Sequence, residues 1–401
     1  MGEILQNSNK LQNLNNKETY KNKAKTILFP IKEIDTETKA TEKFLFNASR
    51  SKAGYNLPEY YLIYFLFVDL LGFKDLGKFE KISFSIPIDY NGKAFLIEHR
   101  KFGIGIFVQD SETDESDAEE IVKKINGAVK SARPFYDYIA EKAVNDSKLN
   151  VNNHNSKLYN RFNFLLQSYK ENYGLYIQNK GKYTKKITKT QSGESTAITS
   201  LDYEFLEKSN WFAISCIEAF FSWTEHLFIH IAIISQNISS GKEVTDLIDA
   251  EWKTKFTKAI PLQTDEISKY YNDLLLVRQQ LRNFVAHGAF GKNGNAFMFH
   301  SSVGAVPVIM NHKKTKNRFS LNGNLSFKEE EVIELIEKFI EFLWKDSLEP
   351  VMYYTQDCEL PTILTLASNS FYSTAIESME NMRIFSDKLM SDFDNSRNMD
   401  W

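Results

Sequence analysis

The chain has 401 residues, of which 42% are hydrophobic, and this is enough apolar material for two or three domain cores. Its 49 basic residues are balanced by 52 acidic ones, and the net charge of −3 excludes a protein covered in positive charge for nucleic-acid binding. The two cysteines, Cys216 and Cys358, have no spacing partner, which excludes a disulfide framework and favours a reduced, cytoplasmic protein. Because of this charge balance, any binding of nucleic acid must be local.

The first part of the chain predicts an α+β unit behind a polar N-terminus. Residues 1–26 are rich in Asn and Lys and have no apolar segment of the kind a secretory signal contains, so we expect them to be poorly ordered. Residues 27–150 predict a buried helix over 58–73, a hairpin that turns at Asn91-Gly92, and a long helix after an acidic run. We expect this unit to act as a sensor or to set specificity.

The rest of the chain, residues 151–401, predicts a helical domain, so that the protein as a whole should be mainly α. Apolar periodicity predicts the helices 156–176, 202–235, 243–259, 264–287, one after 326, and one or two within 361–393, with a strand pair over 296–310. A basic segment between the first two helices is predicted to be a loop. Its lysines either contact RNA phosphates or are simply solvated, and they are Lys180, Lys182, Lys185, Lys186 and Lys189.

One predicted helix has to be assessed as a possible membrane-spanning segment. Residues 211–235 are apolar and long enough to cross a bilayer. However, Glu218 and Glu225 would lie at mid-depth, where each carboxylate costs several kcal/mol, so we expect a core helix and no membrane partner. Because its aromatic residues cover more than one face, this helix is expected to be central to a bundle or shared between the protomers of a homodimer.

A short polar motif at the end of one helix carries the strongest chemical signal. Asn283 and His287 are four residues apart, so the amide can reach the imidazole, while Arg282 flanks the same cleft. Such an imidazole can accept the 2′-hydroxyl proton of RNA or protonate the leaving 5′-oxygen, and the guanidinium can hold the phosphate. This chemistry requires no metal and no cofactor. The alternative is that Arg282 and His287 only cap the helix and pair with neighbouring acids.

The string Leu281-Arg282-Asn283-Phe284-Val285-Ala286-His287-Gly288 resembles the Arg-Asn-x3-His signature of the HEPN superfamily. The element order over about residues 200–350, near a third of the chain, is similar to that family as well. The resemblance implies a helical bundle that dimerises so that two motifs face one cleft. It implies a metal-independent endoribonuclease of antiviral defence, abortive infection or toxin systems. Other members have lost activity and bind nucleotides or proteins, and this alternative stays open.

Other polar residues could support the motif. Ser215, Glu218, Ser222 and Glu225 recur at helical spacing, and the resemblance implies that an acid such as Glu218 or Glu225 pairs with Arg282 or orients His287. A buried salt bridge is the equal alternative. His226 and His230, four residues apart, are better interpreted as satisfied core histidines than as metal ligands.

Two weaker signals complete the set of candidates. Asp89 and Glu98, followed by Arg100, are similar to the paired strand carboxylates with which restriction-type nucleases hold Mg²⁺, although a plain hairpin is favoured. Lys313 and Lys314 belong to a basic stretch some thirty residues after the motif and could line the edge of an RNA cleft.

Overall fold

A computed structural model describes residues 17–190, 193–286, 295–310, 319–321 and 328–400. The chain is mainly helical, with 61% helix against 17% strand, which confirms the expected fold class at this level. It divides into two compact units, one made of the residues up to Asn145 together with those from Asp387 onward, and the other spanning Asp146–Ser386. The predicted second domain ran on to residue 401, whereas the last residues pack with the first unit through contacts such as that of the Lys81 amide with the Met399 carbonyl, 3.3 Å.

Unit 1 is built on one antiparallel sheet in the order β1-β3-β4-β5-β2. Its strands are β1 (Lys32–Glu33), β2 (Ser49–Arg50), β3 (Ile82–Tyr90), β4 (Lys93–Arg100) and β5 (Gly103–Val108). Its helices are α1 (residues 17–28), α2 (Phe44–Asn47), α3 (Tyr60–Tyr64, continued as a π-helix over Phe65–Leu71), α4 (Glu115–Ser131) and α5 (Arg133–Asn145), with a 3-10 turn at Lys52–Asn56.

The predicted hairpin at Asn91-Gly92 is confirmed, because β3 pairs with β4 through Tyr90↔Lys93. Both turn residues have positive φ, 54° and 82°, which is the conformation that Asn-Gly favours in a two-residue hairpin loop. The helix α1 corrects the expectation of a poorly ordered N-terminus for residues 17–26, since its second half buries Ala24 and Leu28, while residues 1–16 lie outside the described part of the chain. Ala24 and Leu28 are four residues apart and share one helix face. The composition of the segment, which is rich in Asn and Lys, does not show this apolar face.

Unit 2 is a helical assembly with short strands. Its helices are α6 (Asn155–Asn179), α7 (Tyr203–Ser235), α8 (Gly241–Asp249), α9 (Trp252–Ala259), α10 (Asp265–Ala286), α11 (Glu329–Leu343), α12 (Glu349–Met352, continued as a π-helix over Tyr353–Asp357), α13 (Leu364–Ser368), α14 (Phe371–Ala375) and α15 (Met379–Asn398), whose last part belongs to unit 1. Its strands are β6 (Asn150–Val151), β7 (Tyr183–Thr190), β8 (Gly193–Ser200), β9 (Asn295–Ser301), β10 (Gly304–Met310), β11 (Phe319–Ser320) and β12 (Thr362–Ile363).

The helix α7 is the centre of unit 2. It is long and apolar enough to cross a membrane, but 78% of its most apolar stretch is buried within the chain, as in a core helix. Phe339 of α11 packs against Phe220 and Phe228 of α7 at ring distances of 6.1 and 6.5 Å. The predicted helix over 243–259 is wrong, because the backbone is extended at Ala250 and Glu251 and separates α8 from α9. The break lets Trp252 turn inward and donate to the Thr224 hydroxyl at 3.0 Å.

Candidate functional site

The helix that carries the motif, α10, is held in unit 2 by one apolar row. Leu274, Val277 and Leu281 are buried, and their spacing of three and four residues places them on one helix face. The described part of α10 continues through Arg282 and Asn283, of which only the backbone is described, to Ala286. His287 lies outside the described residues. The packing of these three residues therefore fixes the position of α10, the helix on which the motif begins.

An acid from the central helix reaches α10, but one turn before the motif. The Oε1 atom of Glu225 lies 2.7 Å from a terminal nitrogen of Arg278, and the two side chains are 33% and 34% exposed. The guanidinium of Arg278 also lies 5.5 Å from the ring centre of Phe221. The described partner of Glu225 is thus Arg278, whereas the side chain of the predicted partner, Arg282, lies outside what the structure describes. Sequence reasoning missed Arg278, although its position four residues before Arg282 could have revealed it.

Glu218 does not join this arrangement. It is exposed on α7 and forms no ion pair or hydrogen bond with any residue that the structure describes. Ser222 is exposed as well, so the polar stripe on α7 faces solvent at Glu218 and Ser222, while Glu225 forms a partly buried ion pair. Among the described side chains of α10, Glu225 is the one of the two candidate acids that has a partner there.

The histidines of α7 form a closed hydrogen-bond chain. The Nε2 atom of His226 accepts from the backbone amide of His154 at 2.9 Å and lies 3.1 Å from Nε2 of His230. The other nitrogen of His230, Nδ1, lies 3.0 Å from the Thr362 hydroxyl. Burial lowers the pKa of His226 to about 4 and that of His230 to about 3, so both imidazoles are neutral at pH 7. Since both nitrogens of His230 are used, this pair ties α7 to its neighbours.

The lysines predicted in a loop belong instead to a hairpin. The strands β7 and β8 pair from Tyr183↔Ser200 to Thr190↔Gly193, and their described side chains are almost all exposed. Since successive residues of a strand alternate between faces, Lys185 and Lys186 point to opposite sides of the ribbon, whereas the side chain of Lys189 lies outside the described residues. Lys180 and Lys182 lie at its base. Lys185 and Lys186 are therefore on different faces of the hairpin, and the predicted loop gave no indication of this separation.

The carboxylates of the rival nuclease site are too far apart to share a metal ion. In the register of β3 and β4, Asp89 opposes Ala94, whereas Glu98 opposes Ser85. This offset of four residues separates the two acids by about 13 Å along the sheet, at roughly 3.3 Å per residue. Glu98 accepts from the Ser85 hydroxyl at 2.8 Å and from Arg100 at 2.6 Å, so it is already satisfied. The geometry supports the hairpin interpretation.

Within the described ranges, no group of three or more His, Cys, Asp or Glu side chains converges in a way that could hold a metal ion. Lys313 and Lys314 lie outside those ranges. Beside the motif, the partly exposed guanidinium of Arg278 can hold an anion. No protein-family model matches this chain, and neither a curated protein nor a solved structure is similar to it.

Proposed function

We propose that this chain is a metal-independent endoribonuclease of the HEPN type, acting in antiviral defence, abortive infection or as a toxin. The observation that carries the proposal is the motif from Arg282 to His287 at the end of α10. It is supported by the acid Glu225, which the central helix brings to the same side of α10 that leads into the motif. Arg278 and Arg282 lie one turn apart, about 6 Å along the axis, so two guanidinium groups can be offered to a phosphate backbone.

The proposed reaction needs only the RNA and the motif. His287 takes the proton from a 2′-hydroxyl, whose oxygen attacks the adjacent phosphorus while the bond to the 5′-oxygen breaks. The leaving 5′-oxygen receives a proton from a second, protonated copy of His287, and the products carry a 2′,3′-cyclic phosphate and a 5′-hydroxyl. Arg282 holds the negative charge that develops on the phosphate oxygens. Asn283 orients the imidazole.

A homodimer follows from the same chemistry. One chain supplies one His287, whereas this reaction is fastest with an acid and a base present together. A two-fold pair of chains would bring two copies of the motif to one cleft, with α7 and α10 at or beside the interface. Light scattering at micromolar concentration tests this step, and an active monomer would contradict it.

Cleavage of a mixed-sequence RNA by the purified chain, in the presence of EDTA, is the direct test. We expect wild-type cleavage with cyclic-phosphate ends and a loss of at least a hundredfold in each of Arg282→Ala and His287→Ala, because a transition-state contact is removed. Asn283→Ala should be weaker but active. Two exposed residues serve as controls for the residue type, Arg161→Ala and His300→Ala, and both should cleave normally.

The outcomes separate this function from its alternatives. If both motif variants cleave as the wild type does, the proposal is wrong. A product with a free 3′-hydroxyl that disappears with EDTA indicates a metal-dependent nuclease instead. A folded wild-type chain that binds RNA without cutting it indicates a scaffold that has lost activity.

A further inference from the structure

An aromatic pocket in unit 1 takes no part in the proposed RNA cleavage. It has a volume of about 320 Å³, the lower end of the size range of small-molecule sites. One wall comes from α3, where Tyr60 and Tyr64 are four residues apart and share a helix face, with Tyr61 beside them. The chain passes from α-helix to π-helix directly after Tyr64, and π-helical turns are frequent at functional sites.

The ring of Tyr60 is prepared for stacking. One of its faces lies on the imidazole of His99, with ring centres 4.0 Å apart and planes 4° from parallel. The ring is nevertheless 43% exposed, and Tyr61, 45% exposed, meets it edge-on at 5.5 Å. Burial lowers the pKa of His99, so the imidazole beneath is uncharged at neutral pH. A planar guest on the open side would extend a neutral aromatic stack, and bases stack on tyrosine in this way.

A carboxylate is held at the same pocket with one oxygen unused. The Oδ1 atom of Asp75 accepts from the amides of Gly77 and Ser85, each at 3.0 Å, and these bonds fix its orientation. Its Oδ2 atom accepts no hydrogen bond from the part of the chain that the structure describes. A carboxylate accepts only, so the guest must present N–H or O–H donors to it.

The remaining charge in the pocket separates the possible guests. Lys78 lines the pocket together with Asp75. An organic cation would suit the rings and the carboxylate, but it would be repelled by this ammonium group. A nucleotide satisfies all three features, since its base stacks, its donor edge meets the carboxylate, and its phosphate is attracted to the lysine. Among the bases, guanine presents two adjacent N–H donors, whereas adenine and cytosine place an acceptor nitrogen beside the amino group.

We propose that this pocket binds a guanine nucleotide, with the base stacked on Tyr60, its N–H edge on Oδ2 of Asp75 and its phosphate near Lys78. The guanine could belong to a free nucleotide or to an unpaired residue of an RNA strand. Unit 1 would then sense a nucleotide or select the RNA. This inference stands on unit 1 alone and does not depend on the activity of the motif.

Calorimetric titration of the full chain with GMP, AMP, CMP and UMP tests the proposal. We expect GMP to bind at least tenfold more tightly than the other three. Asp75→Asn should weaken GMP binding at least tenfold without disturbing the fold, because the amide oxygen still accepts from Gly77 and Ser85 while its NH₂ group faces the donor edge. Tyr60→Leu should weaken binding of every nucleotide, and Tyr60→Phe should retain it. Tyr138→Leu is the matched control, since Tyr138 is an exposed tyrosine of the same unit outside the pocket, 42% exposed.

Further measurements show whether the guanine comes from a free nucleotide or from RNA, and they separate this proposal from the proposed RNA cleavage. Tighter binding of a short RNA with an unpaired guanine than of GMP indicates RNA as the source, and equal binding indicates the free nucleotide. The His287→Ala variant should bind GMP as the wild type does, so loss of cleavage and loss of binding are separate results. The proposal is overturned if GMP does not bind at millimolar concentration, if Asp75→Asn and Tyr60→Leu leave binding unchanged, or if tetramethylammonium binds in place of GMP.

Discussion

Glu225 and the histidines that follow it on α7 differ in how completely their polar atoms are satisfied. Glu225 is one third exposed, and its single described ion pair, with Arg278, is open to water. His230 is fully buried, and both of its ring nitrogens lie within 3.1 Å of a partner. Polar groups that are sealed and fully hydrogen-bonded hold a core together, whereas a half-exposed pair can exchange its partner for a substrate. The chemistry of unit 2 is therefore expected beside Glu225.

Acidification should lower the stability of the protein mainly through His226 and His230. The pKa values of His226 and His230 are lowered by burial, and in His226 also by the charges of His154 and Lys255. Because the folded-state pKa values lie below the unfolded value of 6.5, the stability is full above pH 6.5 and is lost as the pH falls toward about 4 and about 3. Between pH 7 and pH 5 we expect a loss on the order of 4 kcal/mol, at 1.36 kcal/mol per unit for each histidine.

Chemical denaturation at several pH values measures this loss. In the His230→Ala variant the slope between pH 7 and pH 5 should be about half that of the wild type, because one of the two proton-linked groups is absent. An identical slope in both proteins would show that other groups cause the acid sensitivity.

Removing the buried imidazole should have the next largest effect. We expect His230→Ala to lower the free energy of unfolding at pH 7 by about 2–4 kcal/mol, since it leaves a cavity and removes the hydrogen-bond partner of the Thr362 hydroxyl. His300→Ala, at an exposed histidine of β9, should change it by less than about 0.5 kcal/mol. Equal stability of the two variants would contradict the view that the buried, fully hydrogen-bonded His230 stabilises the core more than an exposed histidine does.

The exposed pair should matter little to stability and more to activity. Glu225→Gln removes the ion pair with Arg278 and should cost at most about 1 kcal/mol of stability, because both partners are partly solvated. On the proposed function, it should lower RNA cleavage about tenfold or more, because Glu225 no longer fixes the Arg278 guanidinium in the position from which it contacts the phosphate. Glu218→Gln, two turns earlier on the same helix, is the matched control and should change neither quantity. Equal cleavage by the two variants would contradict a role for Glu225.

The hairpin β7–β8 gives the smallest expected effect on stability. Lys185→Glu and Lys186→Glu should each change the free energy of unfolding by less than about 0.5 kcal/mol, since both side chains are exposed. RNA affinity should fall more in Lys185→Glu, because its face of the ribbon also carries Tyr183, which is 65% exposed and able to stack on a base. The salt dependence of RNA binding measures this difference, and equal losses would mean that RNA does not select one face.

Local patterns in the sequence determined the elements whose signals lie within a few residues. The hairpin at Asn91-Gly92 was predictable because only a few residue pairs adopt positive φ at both turn positions. The length and apolar character of α7, and the position of the motif near the end of α10, were readable from periodicity alone. For the same reason, the sequence could indicate that Arg282 and Asn283 lie on a helix.

Tertiary structure alone decided which polar residues meet. No pattern in the sequence predicts that Glu225 rather than Glu218 pairs with Arg278, because the packing of the two helices sets which part of α7 faces that described residue of α10. The pocket at Tyr60 joins residues from α3, β3 and the segment between them, and its carboxylate is oriented by the amides of Gly77 and Ser85, the second of which lies ten residues after Asp75 in the chain. Contacts between distant segments depend on how whole elements pack, and side-chain spacing within one segment holds no information about that packing.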